Sequence, residues 1–226
     1  MISILLAVCN GEKYISQSVG SIIDQTFKEW ELLIGLNGTT DSSREIINSF
    51  QDKRIKLIDY GDDKGKAKTL NKLIKKAKYD WCAIQDDDDI WLPDKLKLQS
   101  IHMEDFDVIG TFIKYIDKDG NIKGGPTLSV KHEDINRQCI NGTNEIANSS
   151  AIFKTELANE VSGWNEELDL MAGRGYQPCE DFDFWIKLLK KGAFFYNIPN
   201  HLVLHRIHSE SNFNTKRRDS KKIPQC

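Results

Sequence analysis

Along the first 85 residues, apolar runs of strand length alternate with segments of helical spacing, and this alternation constrains the fold more than any other feature. Four runs are predicted to be strands: residues 2–8, 31–36, 55–60 and 81–85. The segments between them are predicted to be helices: residues 14–23, 43–50 and 66–77. Strands and helices that alternate at this spacing favour a parallel sheet with right-handed crossovers.

The second half of the chain has a less regular pattern. Its strand-like segments are short and widely spaced: residues 106–117, 151–154, 193–198 and 202–204. A helix is predicted at residues 181–190 and stops at Gly192. The turn sequence Asp119-Gly120-Asn121 predicts a hairpin.

A chain of 226 residues suits one domain. We expect a single α/β domain over residues 1–212, with a mostly parallel central sheet flanked by helices. Its halves are residues 1–100 and 101–212. The basic residues 213–226 are expected to be a mobile tail.

The composition argues against several classes of protein. There are 31 Lys and Arg residues against 34 Asp and Glu residues, so no overall positive charge would hold a nucleic acid. No stretch is long and apolar enough to span a bilayer, and the first residues lack the basic start of a signal peptide. The five cysteines form no C-x-x-C pair, which disfavours a disulfide framework or a structural zinc site. We expect a cytoplasmic protein.

Ligands of a parallel α/β sheet bind beyond the carboxyl ends of its strands. Four segments occupy these positions, and each is polar or contains glycine: residues 7–11, 36–40, 60–65 and 85–89. These segments are therefore where we expect a binding site.

Four consecutive aspartates follow the fourth predicted strand: Asp86, Asp87, Asp88 and Asp89. Clustered carboxylates after a buried strand are electrostatically costly, and a hard divalent cation such as Mg²⁺ or Mn²⁺ offsets that cost. The alternative is an acidic cap, from Asp89 or Asp94, on a helix that begins at Pro93. The position at the end of a central strand favours a metal and phosphate site.

Together with these aspartates, several segments resemble family 2 glycosyltransferases of the GT-A fold. The similar segments are residues 3–15, 21–27 and 37–41, then Gly65 and Asn71, and finally residues 86–93. The resemblance is nearly continuous from residue 2 to about residue 100 and continues in patches to Asn212. It implies a Rossmann-like GT-A domain that binds a nucleotide-sugar in its first half and an acceptor in its second.

The resemblance also implies roles for particular residues of the first half. Asp88 becomes the main metal ligand, and Asp86 contacts the donor ribose or the metal, with Asp87 as an alternative. The remaining donor positions lie along the predicted sheet edge and the helix after it: Ala7, Cys9, Asn10, Asn37, Gly65, Lys68 and Asn71.

Two positions depart from the family pattern. The chain has Leu36-Asn37 where the family usually has two aspartates, and Cys9 where it has a tyrosine that stacks on the base. Asn37 can offer both a donor and an acceptor. A UDP-sugar is therefore the default donor, and the base stays open.

In the second half, the Glu180-Asp181 pair precedes the predicted helix and could simply cap it. Because residues 163–167 and 180–185 resemble the acceptor half of the family, Asp181 is assigned as the general base, with Glu180 and Asp183 as weaker candidates. One base and one displacement imply inversion at the anomeric carbon.

Residues 205–212 are either a polar loop or the closing His and Arg motif of the family. The second interpretation places His205 or His208 near the metal and Arg206 near phosphate. Residues 148–150 are a weaker candidate for the acceptor pocket. Lys64, Lys66 and Lys68 flank Gly65 and are either a solvated face or a phosphate contact.

The sequence thus predicts metal-dependent, inverting transfer of a sugar to a hydroxyl of a glycan or lipid-linked acceptor, in the synthesis of cell-surface polysaccharide or glycoconjugates. The alternatives are a nucleotidyltransferase, although residues 7–11 lack a glycine-rich phosphate loop, a hydrolase and a non-catalytic nucleotide-sugar-binding subunit. The basic tail could attract the inner face of a membrane or could simply aid solubility.

Overall fold

A computed structural model of the protein describes residues 1–168 and 179–208. Its strands are β1 Ile2–Val8, β2 Trp30–Leu36, β3 Ile55–Asp59, β4 Trp81–Gln85, β5 Ile90–Trp91, β6 Val108–Ile116, β7 Ile122–Gly124, β8 Ile152–Lys154 and β9 Phe195–Arg206. Its helices are α1 Ile15–Ile23, α2 Ser43–Asn48, α3 Lys66–Ile74, α4 Lys95–Ser100, α5 His132–Ile140, α6 Thr155–Glu160 and α7 Glu180–Lys191, with a 3₁₀ turn at Asn148–Ser150. The predicted tail and Cys226 lie outside the described residues.

All the described strands belong to one sheet in the order β3-β2-β1-β4-β8-β6-β9-β5, with β7 paired to β6. Strands β3, β2, β1 and β4 run parallel to one another, as the alternating pattern predicts. Their carboxyl ends therefore open on the same edge, where the polar segments of the sequence follow them.

The second half of the chain extends this sheet with mixed pairing. Strand β8 pairs antiparallel with both β4 and β6, so it joins the two halves. Strand β9 runs parallel to β6, and β5 pairs antiparallel with β9. The α/β fold class is confirmed, with the parallel pairing concentrated in the first half.

Strand β9 replaces the two short strands predicted at residues 193–198 and 202–204. The residues between those segments, Pro199, Asn200 and His201, are exposed, and the register against β6 shifts beside Phe112. The strand continues across this irregularity because β9 pairs with β6 on both sides of it. Helix α5 was not predicted because only Ile135 and Cys139 on it are buried, which is too few apolar positions to show a period.

Two apolar layers pack against the faces of the sheet, because successive strand residues point to opposite sides. On β1, Ile4 and Leu6 pack with α1 and α2, whereas Leu5 packs with α3 and α7. Burying each such side chain contributes about 1.5–3 kcal/mol. The sheet edge that bears the polar loops is therefore supported from both sides.

Among the described residues, no helix has both the length and the apolar character needed to cross a bilayer. Cys9, Cys82, Cys139 and Cys179 are free thiols. Burial raises the pKa of Cys82 to about 12, so this thiol stays protonated and packs in the apolar core.

Candidate active site

The loops after β1 and β2 meet at the carboxyl edge of the sheet. Asn10 has a left-handed backbone, with a φ of 57°, and its Oδ1 accepts a hydrogen bond of 2.8 Å from the backbone N–H of Thr40. Gly11 faces the aspartate run, because a Cβ at this residue would lie 2.6 Å from Oδ2 of Asp87. A larger residue at this position would displace the Asp87 carboxylate, so the first loop lies directly against the end of β4.

Asp86 is held between the two halves of the domain. Its carboxylate lies 2.6 Å from Nζ of Lys66 on α3, and Nδ2 of Asn148 donates to both of its oxygens at 3.0 and 3.1 Å. Burial alone would raise the pKa of Asp86, but Lys66 and Asn148 outweigh it, so the pKa lies below its usual value. Asp86 is therefore ionised.

Asp87 and Asp88 carry the excess negative charge of the loop. Burial, followed by the charges of Asp88 and Asp86, raises the pKa of Asp87 well above its usual value. Burial and the charges of Asp89 and Asp86 raise the pKa of Asp88 to about 6. The protein groups around these two carboxylates thus do not fully compensate their charge, as expected of a site that receives a cation.

Asp89 fixes the loop to the end of β9. It is fully buried, its Oδ1 accepts from the backbone N–H of Arg206 at 2.8 Å, and its Oδ2 lies 3.0 Å from Nδ1 of His205. Burial lowers the pKa of His205, but Asp89 and the other aspartates outweigh it and raise it to about 9. Asp89 is therefore not a helix cap but the anchor that orients His205.

Arg206 does not face a phosphate site, contrary to the sequence expectation. Its side chain is buried, Nε donates to the backbone oxygen of Asp88 at 2.9 Å, and one terminal nitrogen donates to Oε1 of Gln17 at 2.7 Å. The guanidinium also lies over the ring of Tyr14, 4.3 Å from its centre. It braces the aspartate loop from behind because backbone oxygens need a buried donor there.

Asp88 and His208 are of the residue types that bind Mn²⁺ or Mg²⁺. Oδ2 of Asp88 lies 2.9 Å from Nε2 of His208, which is a hydrogen-bond distance, so these two side chains contact each other directly. Within residues 1–168 and 179–208, no three His, Cys, Asp or Glu side chains form a ready ligand set. Mg²⁺ and Mn²⁺ commonly take few protein ligands and complete their coordination with water and phosphate oxygens.

The acidic pair of the second half begins helix α7. Lys66 reaches it as well, with Nζ 3.6 Å from Oε1 of Glu180, and Nδ2 of Asn144 donates to Oδ2 of Asp181 at 3.0 Å. Burial raises the pKa of Asp181 and that of Glu180, the latter to about 7, while the Lys66 charge lowers both. Asp181 is thus a desolvated carboxylate whose ionised form is favoured by Lys66 and by the hydrogen bond from Asn144.

Asp86 and the Glu180-Asp181 pair line one cavity of about 420 Å³. Its polar wall includes Asp86, Asp181 and His205. The rest of the wall is largely apolar: Ile113, Pro126, Leu128, Ile146, Ala147 and Phe182. A carboxylate from each half of the domain therefore faces the same space, which the sequence alone could not establish.

The other predicted donor residues lie at the same edge but make different contacts. Ala7 lies near the end of β1, and the exposed Cys9 follows that strand. Gly65, with a φ of 134°, precedes α3 and allows the sharp entry into that helix. Asn37 is buried and donates to Thr69.

Lys68 and Asn71 point elsewhere on α3. Lys68 forms an ion pair with Asp63. Nδ2 of Asn71 donates to the backbone oxygen of Trp164 at 2.9 Å, and its Oδ1 accepts from the N–H of the same residue. Asn71 thus ties α3 to the second half of the domain, and the donor roles of both residues stay predictions.

Three residues of the site were missed or only weakly indicated by the sequence: Lys66, Asn144 and Asn148. Lys66 looked like one member of a charged run, and Asn144 lies in a segment that resembles an ordinary loop. In the sequence, these three residues could be linked to the site only through their position beside predicted strand ends and turns. Many surface residues share that position.

Comparisons with known proteins all identify glycosyltransferases as similar to this chain. The sequence model of the family described as "Glycosyl transferase family 2" matches residues 3–162. The chain is 29% identical over 221 residues to the uncharacterized glycosyltransferase MJ1057 of Methanocaldococcus jannaschii, covering 94% of this chain and 73% of the relative. It is 29% identical to the Escherichia coli protein WfaP, named as a UDP-Glc:alpha-D-GlcNAc-diphosphoundecaprenol beta-1,3-glucosyltransferase, over 93% of this chain and 79% of that one.

A solved structure supports the fold. Residues 1–349 of S. aureus TarS, in complex with UDP-GlcNAc, superpose with a TM-score of 0.77 at 19% identity, covering 95% of this chain. The chain spans 60% of the length of that TarS chain. At 19% identity, this similarity shows that the two proteins share a fold.

Proposed function

The chain belongs to glycosyl transferase family 2, and from that premise we propose that it transfers one sugar from a nucleoside-diphosphate sugar to a hydroxyl of a glycan or lipid-linked acceptor. The observation that carries the proposal is the shared cavity, where Asp86 of the donor half and Asp181 of the acceptor half face one space. The name of WfaP, which specifies a lipid-linked sugar as acceptor, supports the class of acceptor. The product would enter cell-surface polysaccharide or glycoconjugate synthesis.

On the donor side, Asp88 and His208 would hold Mn²⁺ or Mg²⁺ and Asp86 would contact the ribose. The cation, when bound, would neutralise the negative charge that develops on the departing nucleoside diphosphate. Asp89 and Arg206 keep the loop in place, since both are buried and bonded to its backbone or to His205. The donor is by default a UDP-sugar.

On the acceptor side, Asp181 would accept the proton of the attacking hydroxyl. Burial raises the pKa of Asp181, which makes it a stronger base than an exposed carboxylate. Attack from the face opposite the diphosphate inverts the anomeric carbon, and one carboxylate suffices for that single displacement. Glu180 lies beside it and interacts with Lys66, which suits a supporting role better than that of the base.

Lys66 would connect the two sides. Its ammonium group pairs with Asp86 and lies near Glu180, and its charge favours the ionised form of Asp181. A cytoplasmic location with peripheral contact to the inner face of the membrane, through the basic residues 213–226, completes the proposal. Such contact would bring the cavity close to a lipid-linked acceptor.

The test is donor turnover with and without an acceptor. The full chain is incubated with UDP-sugars and Mn²⁺, either alone or with a lipid-linked monosaccharide, and release of UDP is measured. We expect release that depends on the acceptor, together with a product extended by one sugar of inverted configuration. Release at the same rate without acceptor would indicate a hydrolase, and no release with any nucleotide-sugar would contradict the proposal.

A further inference from the structure

The 3₁₀ turn at Asn148–Ser150 connects the second half of the domain to the aspartate loop. Nδ2 of Asn148 donates to both oxygens of the Asp86 carboxylate, and Oγ of Ser149 accepts from the backbone N–H of Asp86 at 3.2 Å. The position of the turn therefore helps to set the position of Asp86, which lines the cavity. The following inference rests on the donor role proposed for Asp86.

Side chains from β5 and α4 hold the backbone of this turn. Nε1 of Trp91 donates to the backbone oxygen of Ser149 at 2.7 Å. Nε2 of Gln99 donates to the backbone oxygen of Ser150 at 2.8 Å and to that of Ile109 on β6 at 2.6 Å, so Gln99 fastens the turn to the sheet. Because a 3₁₀ turn has poor internal hydrogen-bond geometry, we expect these two donors to determine where the turn lies.

One buried lysine contacts both of these donors. Lys95 is fully buried, and its Nζ donates to Oε1 of Gln99 at 2.8 Å. The same nitrogen lies 3.9 Å from the centre of the Trp91 ring. Burial lowers the pKa of Lys95 well below its usual value. An amine in such a site is costly, and the hydrogen bond to Gln99 offsets part of that cost.

Lys95 also completes the hydrogen bonding of the Gln99 amide. The backbone oxygens of Ser150 and Ile109 can only accept, so the atom of Gln99 that faces them is Nε2. The other branch of the amide, Oε1, then needs a donor, which Lys95 supplies. Without Lys95, Oε1 would be buried and unpaired, and the amide would be free to rearrange away from the turn.

We propose that Lys95 is a positioning residue for the donor site. By holding Gln99 and packing on Trp91, it fixes the Asn148–Ser150 turn, and through Asn148 it keeps the Asp86 carboxylate in the position that the donor meets. Lys95 is not one of the described residues that line the cavity, so it acts only through its neighbours. This role gives a reason for an amine in the core, where an apolar side chain would cost less to bury.

The first experiment compares the full chain with Lys95→Met, which keeps the length of the side chain but removes its donor. Lost stability alone lowers the amount of folded enzyme, which scales the maximal rate and leaves the KM of the donor unchanged. A displaced Asp86 instead weakens the donor. We therefore expect the donor KM, and the Kd for UDP measured by calorimetry with Mn²⁺, to rise about tenfold. Lys97→Met, at an exposed position of the same helix, should leave both constants unchanged.

A double-mutant cycle tests the route through the turn. Asn148→Ala removes the hydrogen bonds from the turn to the Asp86 carboxylate and should itself weaken the binding of UDP. If Lys95 acts through Asn148, adding Lys95→Met to Asn148→Ala should weaken UDP much less than Lys95→Met does alone, because the two substitutions break the same connection. Effects that multiply in full would overturn the inference, since Lys95 would then act by another route.

A second variant keeps the test decisive if Lys95→Met does not fold. Trp91→Phe keeps an aromatic ring beside Lys95 but removes the donor to Ser149, and it should raise the Kd for UDP in the same way. An unchanged Kd in folded Lys95→Met, or in Trp91→Phe where Lys95→Met does not fold, would overturn the inference and leave the donor site standing. If the unaltered protein binds no nucleoside diphosphate with Mn²⁺, the proposed donor site is overturned together with the inference.

Discussion

Asp86 of the aspartate run and the Glu180-Asp181 pair line one cavity, but the protein holds the two segments by different means. The run is fastened through its backbone as well as its side chains: Ser18 donates to the carbonyl of Asp86 at 2.9 Å, and Gln85 donates to that of Asp89 at 2.7 Å. The pair opens a helix, and its side chains are held by the hydrogen bond from Asn144 and the charge of Lys66.

This difference indicates that geometry matters most on the donor side and charge matters most on the acceptor side. A loop fixed by many hydrogen bonds keeps its carboxylates ready for a cation whose coordination tolerates little displacement. A single base needs instead the right pKa, to which burial and the charge of Lys66 contribute most. Four predictions test this contrast.

The largest effect is expected at the base. Asp181→Asn should lower the rate of transfer by about 10³-fold, because a carboxamide cannot take the proton of the acceptor, while nucleotide binding persists. The measurement is the initial rate of transfer alongside calorimetric titration with UDP. Asp183→Asn, on the same helix and paired with Lys187, is the control and should remain active. Full activity in Asp181→Asn would refute the assignment.

The brace behind the aspartate loop should affect stability. Arg206→Met should lower the free energy of unfolding by about 3 kcal/mol, since the buried oxygens that it satisfies would lose their donor. Urea denaturation measures the change. Arg137→Met removes an exposed ion pair with Asp134 and should change it far less. Equal effects of the two substitutions would mean that Arg206 does not brace the loop.

The cation prediction comes next. Asp88→Ala should weaken Mn²⁺-dependent binding of a nucleoside diphosphate about 100-fold, because a direct carboxylate ligand is lost. Titrations with Mn²⁺ and with a chelator separate the dependent part from the rest. Asp94→Ala, six residues further along at an exposed position, serves as the control. If Mn²⁺ does not change the affinity of the unaltered protein for the nucleoside diphosphate, the metal site is refuted.

The smallest effect is expected from removing the charge of Lys66. That charge lowers the pKa of Asp181, Glu180 and Asp86, so Lys66→Met should raise all three. The base works ionised, so the low-pH limb of the rate profile should move to higher pH, and along that limb the rate should fall about tenfold for each pH unit. Lys68→Met, which breaks an ion pair with Asp63, should leave the limb in place. A profile unchanged in Lys66→Met would show that this lysine does not tune the base.

Much of the fold could be predicted from the sequence where local patterns are strong. Strands β1, β2 and β4 and the aspartates after β4 stand out because a buried strand gives an unbroken apolar run and the end of β4 is followed by an abrupt polar one. Helix α5 and strand β5 escaped prediction, since a short element with one or two buried residues has no measurable period.

The lysines around Gly65 show why the residues of the site could not all be predicted from the sequence. Lys66 and Lys68 are two residues apart on α3, which turns them by about 200° relative to each other. Lys66 therefore meets Asp86, while Lys68 meets Asp63. Their residue types are the same, and only the placement of the helix on the sheet separates them.

By itself, the sequence determined the α/β class, the polar strand ends and the chemical character of both acidic segments, because these follow from the period and residue type of short segments. Tertiary structure alone decided that β8 joins the two halves, that Arg206 points inward and that Lys66 stands between Asp86 and Glu180. Such arrangements depend on packing and on the balance of charge between residues distant along the chain, and no local pattern contains that information.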